Sequence, residues 1–125
     1  MRAVALAVTI AAVLAVAGAV LAETTATAVV CTAVEDRAPV GGAERFPASV
    51  GKLMCYSEVR GATGKVVHVW IRGDRAVASI ELQAQGERWR TWSEKRILPE
   101  WTGSWRVEVR TEDGTVLAKT EFTIE

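Results

Sequence analysis

Histidine is almost absent from this sequence. His68 is the one copy in 125 residues, and two cysteines, Cys31 and Cys55, are all that accompany it. Three such residues, two of them in strand-like surroundings, do not make a structural zinc set. No Cys-x-x-Cys spacing occurs, which removes the usual dithiol redox motif. The acidic pairs Glu35-Asp36 and Glu112-Asp113 sit beside turns, where carboxylates are ordinary solvated turn formers. No catalytic constellation, metal centre or cofactor fingerprint stands out, so the reading is of a protein that is not an enzyme and takes no cofactor. A cryptic hydrolase assembled from distant strands is kept as a minor alternative.

An excess of either charge is missing too. Fifteen Lys and Arg balance fifteen Asp and Glu, so the sequence carries no electrostatic footprint for nucleic acid or an anionic membrane surface. Charge is missing altogether from residues 3–22, an Ala- and Val-rich run that follows Met1-Arg2 and ends Val20-Leu21-Ala22 before Glu23. A short basic start, an apolar stretch and small residues at the cleavage positions are the parts of a signal peptide. The chain therefore divides into a signal-peptide helix at 1–22 and a single domain at 23–125, with cleavage after Ala22 and a periplasmic or secreted destination. The competing reading keeps 1–22 as an uncleaved anchor, because a run of that length is enough to cross roughly 30 Å of hydrocarbon. Its many weakly partitioning Ala residues, and the lack of a basic cluster after it, speak against that. A membrane enters only through this alternative.

Helical periodicity is the third absence. After residue 22, period-2 runs alternate with Gly and Asp turns, the pattern of an all-β sandwich or barrel. Strands are expected over about 26–35, 52–59, 65–72, 75–84, 88–93, 104–111 and 115–124. A long loop, Asp36 to Gly51, holds Pro39, Gly41-Gly42 and Pro47; a connector, Glu94 to Gly103, holds Pro99 and Trp101. Gly73-Asp74 is a two-residue hairpin connection. About seven short antiparallel strands fit an immunoglobulin-like β-sandwich in architecture, and a small open barrel is the alternative. Cys31 and Cys55 fall on the first two strands. In an oxidising compartment they either form a disulfide, which would close about 25 residues and stabilise by roughly 3 kcal/mol, or stay as two buried thiols acting as small hydrophobes.

What the sequence does have is tryptophan, five copies, gathered in its second half with arginine. His68 and Trp70 are two apart on one strand and share a face. Trp70 reads as core and His68 as a hydrogen-bonded neighbour at the core's edge; the other reading of His68 is a ligand or pH-sensing residue. On the strand 88–93, Trp89 points one way with Thr91 and Ser93, while Trp92 points the other way with Arg88 and Arg90. Both rings cannot enter one core. An outward Trp among arginines is either a structural cation–π ladder or a contact platform, since Trp and Arg anchor interfaces. Trp101, beside Pro99, would supply a second ring of such a platform. On 104–111, Trp105, Val107 and Val109 are expected inward and Arg106, Glu108 and Arg110 outward.

The order His68-x-Trp70, Trp89-Arg90-x-x-Ser93-x-Lys95, Pro99, Gly103-x-Trp105-Arg106-Val107, Asp113-Gly114-x-Val116-Leu117 and Phe122 resembles the bacterial domain-of-unknown-function family 2914. Glu35-Asp36-Arg37-x-Pro39-Val40 and Tyr56-x-Glu58 look like that family as well, which extends the similarity over roughly residues 26–124. The resemblance implies a small β-rich module of exported or membrane-associated proteins, without a catalytic assignment to carry over. The candidate binding residues are His68, Trp89, Arg90, Trp92, Trp101 and Arg106. The expected function is an exported, non-enzymatic module that meets a protein or other envelope component through a Trp/Arg-rich face. The alternative is a glycan- or peptidoglycan-binding module using Trp92 and Trp101.

Overall fold

The structure, a computed structural model, describes residues 23–125. The expected signal peptide and its cleavage position lie outside the described residues. From Thr25 onward the strands are β1 Thr25–Cys31, β2 Ala33–Glu35, β3 Ala38–Val40, β4 Arg45–Phe46, β5 Lys52–Arg60, β6 Ala62–Arg72, β7 Arg75–Gly86, β8 Trp89–Arg96, β9 Gly103–Arg110 and β10 Val116–Ile124. A 3-10 turn at Ala48–Val50 interrupts them. The described residues are thus all-β, and the six strands expected from residue 52 onward appear close to their expected limits.

The first half departs from expectation, and the seven strands become ten. The strand expected over 26–35 breaks at Thr32, and the expected loop 36–51 contains β3 and β4. The cause is a tight turn without glycine. Asp36 and Arg37 take φ of 51° and 59°, positive at both central positions as a two-residue hairpin connection demands. The chain therefore doubles back, and β2 pairs with β3 from Ala33↔Val40 to Glu35↔Ala38.

β1, β5 and β8 form a three-stranded sheet in the order β1-β5-β8, and a five-stranded sheet runs β4-β10-β9-β6-β7. All pairs are antiparallel except β4 with β10, where Arg45 and Phe46 lie parallel to Thr123 and Ile124. Flanking bonds extend that short parallel ladder: Thr123 N–H to the Glu44 carbonyl (2.8 Å), Glu125 N–H to Phe46 (2.9 Å) and Ala48 N–H to Glu125 (2.7 Å). Between β5 and β6 the chain changes sheet at Gly61, whose φ is 71°. A Cβ there would stand 3.2 Å from the Glu23 carbonyl oxygen, so both conformation and space call for glycine.

Alternation along the strands aims one face of each sheet at the other. At one end, Val30, Leu53, Cys55, Trp70, Trp105, Val107, Phe122 and Ile124 meet in an aromatic-centred cluster. Phe122 is its hub, edge-on to Phe46 (6.0 Å) and Trp70 (6.2 Å) and stacked on Trp105 (5.8 Å). At the other end Val59, Ala62, Val66, Ala84 and Val109 form an aliphatic cluster against which Trp89 packs. On β5, Ser57 falls between Cys55 of the first cluster and Val59 of the second; on β6, His68 falls between Trp70 and Val66. A polar layer therefore divides the core.

The cysteine pair is not bridged: both thiols are free and buried. The ladder gives the reason. Cys55 lies opposite Val30 while Cys31 lies opposite Met54, so on alternating strands the two side chains leave opposite faces. Cys55 enters the core, where burial pushes its thiol up to about 12. Cys31 lies under the β2–β3 segment, where the Ala33 and Val40 backbone hydrogen-bonds it; burial raises its pKa as well.

Candidate binding surface

Of the six residues the sequence nominates, two are inside. His68 is fully buried. Its Nε2 meets Ser57 Oγ at 2.8 Å and its Nδ1 meets Ser93 Oγ at 2.7 Å, while Trp70 Nε1 donates to the same Ser93 oxygen at 3.1 Å. The ring thus joins β6 of one sheet to β5 and β8 of the other. Burial lowers its pKa from 6.5 to about 4, so it is neutral, one nitrogen donating and the other accepting. Ser57 beside His68 has the contact of a nucleophile with its base. However, the second ring nitrogen meets a hydroxyl where a triad would place a carboxylate, and all three side chains are buried. Trp89 is also turned inward, against the aliphatic cluster. Neither His68 nor Trp89 belongs to an outer surface, because both occupy core-facing positions of their strands.

Trp92 and Arg90 do stand on the outer face of the three-stranded sheet, as the alternation along β8 requires. The register of β5 with β8 sets Tyr56 opposite Trp92 and Glu58 opposite Arg90. The Tyr56 and Trp92 rings stack, with centroids 6.2 Å apart and planes inclined by 13°. The hairpin turn reaches this face: Tyr56 Oη donates to the Arg37 carbonyl at 3.0 Å, and Arg90 Nη1 points to the same oxygen at 3.5 Å. Glu58 accepts from Arg88 Nε and from Arg60 Nη2 (3.3 Å). The Arg88 hydrogen bond, followed by the charges of Arg88 and Arg60, holds the Glu58 carboxyl below its usual range. Arg90 has no carboxylate partner among the described residues. The face is therefore an aromatic pair flanked by a guanidinium that makes no ion pair among the described residues, the Glu58 opposite it being engaged by Arg88 and Arg60.

Trp101 and Arg106 stand elsewhere. Arg106 lies on the outer face of the other sheet, where its Nε donates to Glu108 at 2.9 Å and its Nη1 to the Gly73 carbonyl at 3.2 Å. Arg110 Nε reaches Glu108 from the other side at 2.9 Å. These bonds, Arg106's first, lower the Glu108 pKa. Trp101 lies on the connector between β8 and β9, with Lys95 Nζ 4.8 Å from its ring centroid and its carbonyl accepting from Trp105 Nε1 at 3.0 Å. It also lines a cavity of about 530 Å³ beside the β6–β7 turn. Trp92 and Trp101 thus do not form one platform, because the connector carries Trp101 to the five-stranded sheet. Sequence reasoning missed Tyr56 and Glu58 on the first face and Arg72 and Arg75 at the cavity. Their strand positions were readable; the cross-strand register that gives them neighbours was not.

Among the described residues no three His, Cys, Asp or Glu side chains gather as a metal site would require, and no helix is long and apolar enough to cross a membrane. No curated protein matches the chain. A family model does match over residues 63–124, which run from β6 to the end of β10. The stretches Glu35–Val40 and Tyr56–Glu58, which carried part of the resemblance, fall outside that match. Over Thr63 to Ile124 the chain matches the protein family of unknown function DUF2914.

Proposed function

We propose that this protein is an exported, non-enzymatic module that binds an acidic partner of the cell envelope through the outer face of its three-stranded sheet. The observation that carries the reading is Arg90, without a carboxylate partner among the described residues, beside the stacked pair Tyr56–Trp92. Trp, Tyr and Arg supply most of the energy at interfaces when they are rigid and desolvated on contact. Here the stack restrains Tyr56 and Trp92, and the Arg37 carbonyl restrains Tyr56 and Arg90, before any partner arrives, which reduces the ordering cost of binding. Export is supported by the charge-free run 3–22, which ends Val20-Leu21-Ala22 before Glu23. The sealed surroundings of His68 support the non-enzymatic part.

The strand order also supports an immunoglobulin-like reading of the domain. Counting only the seven long strands, the first, second and fifth share one sheet, and the seventh, sixth, third and fourth share the other. That grouping is of the kind immunoglobulin-like sandwiches use. β2, β3 and β4 are then elaborations of the connection between the first two.

Crosslinking in the intact envelope followed by purification tests the binding proposal. A partner recovered with the unaltered protein is expected to be lost with Trp92→Ala and with Arg90→Ala, while circular dichroism and the melting midpoint show both variants folded. Equal recovery with both variants rejects this face.

A further inference from the structure

The cavity beside the β6–β7 turn lies on the other sheet from Trp92 and does not depend on that face. Its volume, about 530 Å³, is that of a small-molecule site rather than a packing defect. Its lining includes Arg72, Arg75, Trp101, Ser104 and Trp105, and no carboxylate side chain. Arg72 is fixed in place: its Nε and Nη2 donate to the Thr102 carbonyl at 3.2 and 3.0 Å, and Nη2 also reaches Glu100 O at 3.4 Å. Its Nη1 has no protein acceptor among the described residues. Arg75 is exposed and has no ion-pair partner among the described residues. The turn between the two arginines is held by Gly73, whose N–H donates to Ser104 O at 2.8 Å and whose carbonyl accepts from Arg106 at 3.2 Å. Lys95, on the Trp101 ring, adds a third positive charge nearby.

We propose that this cavity binds an acidic saccharide, its carboxylate on Arg72 and Arg75 and its sugar ring against Trp101. Two guanidinium groups in a lining without a negative side chain select an anion, and carboxylate suits their planar donors. The indole surface offers the apolar face that a pyranose needs, and the Ser104 hydroxyl offers a hydrogen-bonding partner for its hydroxyls. A simple inorganic anion would use only the arginines and leave the indole unfilled.

Calorimetric titration of the purified protein tests this with a matched pair, N-acetylmuramic acid and N-acetylglucosamine, which differ by the lactyl ether that carries the carboxylate. Saturable binding of the acidic sugar is expected, at least about tenfold tighter than the neutral one, from a charge-assisted contact. Arg75→Ala should weaken it about tenfold, and Arg75→Lys should restore part of the loss. Because Arg75 is exposed, its variants keep the test valid even if Trp101→Leu, which should abolish ligand quenching of tryptophan fluorescence, fails to fold. Absence of saturation at millimolar sugar, equal affinity for the two sugars, or binding unmoved by Arg75→Ala overturns the proposal. Equal competition by inorganic phosphate overturns its saccharide part. None of these results bears on the Trp92 face.

Discussion

Strand β8 presents its two faces to opposite surroundings. Inward, Ser93 receives a ring nitrogen of His68 and the indole N–H of Trp70 in a space that excludes water. Outward, one residue earlier, Trp92 stacks on Tyr56 at the surface. Tryptophan occurs on both faces, and only position parity separates the ring that builds the core, Trp89, from the ring left for contact, Trp92. Polar groups on the inward face have no solvent to fall back on, so each lost partner costs its full desolvation. The outward face has water as a substitute partner throughout.

Changes to the inward face should therefore cost far more than changes to the outward one. The largest effect is expected from His68→Ala, which opens a cavity and strands Ser57 and Ser93. A loss of about 4 kcal/mol, read from the urea midpoint, is expected. Acid offers a second route to the same group. The folded-state pKa of His68 is about 4, against 6.5 for an ordinary histidine, so the unfolded chain takes up a proton first. Stability is then full above pH 6.5 and falls by about 3 kcal/mol as the pH drops to 4. Glu58, Glu108 and Asp113 have lowered pKa values. What they contribute is present above the ordinary carboxylate range and is lost as pH falls through their folded values. The interval from 6.5 down to about 5, above the titration of unfolded carboxylates, thus isolates the histidine, and a flat denaturation profile there would contradict a buried neutral ring.

Neighbouring positions sharpen the contrast further. Ser93→Ala should cost about 2 kcal/mol, because Trp70 and His68 each lose a buried partner, whereas Trp92→Ala should cost about 1 kcal/mol for the lost stack. Equal midpoints for these adjacent variants would erase the distinction between the faces. The smallest effect concerns the thiols. Reducing agent should leave the unfolding midpoint unchanged, and a thiol reagent should label both Cys31 and Cys55 only after unfolding, since burial and a pKa raised to about 12 at Cys55 suppress the reactive thiolate.

Much of this arrangement was legible from residue order. The inward and outward assignments along β9, the shared face of His68 and Trp70, and the opposition of Trp89 and Trp92 all follow from a period of two. What alternation does not carry is which strand lies beside which. Ser57 and Ser93 look like ordinary strand hydroxyls until β5 and β8 pair and the facing sheet brings His68 between them. Tyr56 finds Trp92 by the same pairing, across 36 residues of sequence. An even pair of cysteines in an oxidising compartment leaves a disulfide and two buried thiols both open; the one-residue stagger in their ladder turns Cys31 and Cys55 apart. The β2–β3 hairpin was hidden because Asp36 and Arg37 replace the glycine that usually announces such a turn.

The parallel contact between β4 and β10 gives the domain a mechanical character. Arg45 and Phe46 lie alongside the last residues of the sandwich, and the flanking bonds from Glu44 and Ala48 extend the seam at both ends. Tension applied through Glu125 against the preceding part of the chain loads these bonds along their shared strand axis. They must give way together rather than open one at a time like a zipper. A pull through Glu125 would load this seam, whereas a pull through Thr25 would load the β1–β5 ladder before it.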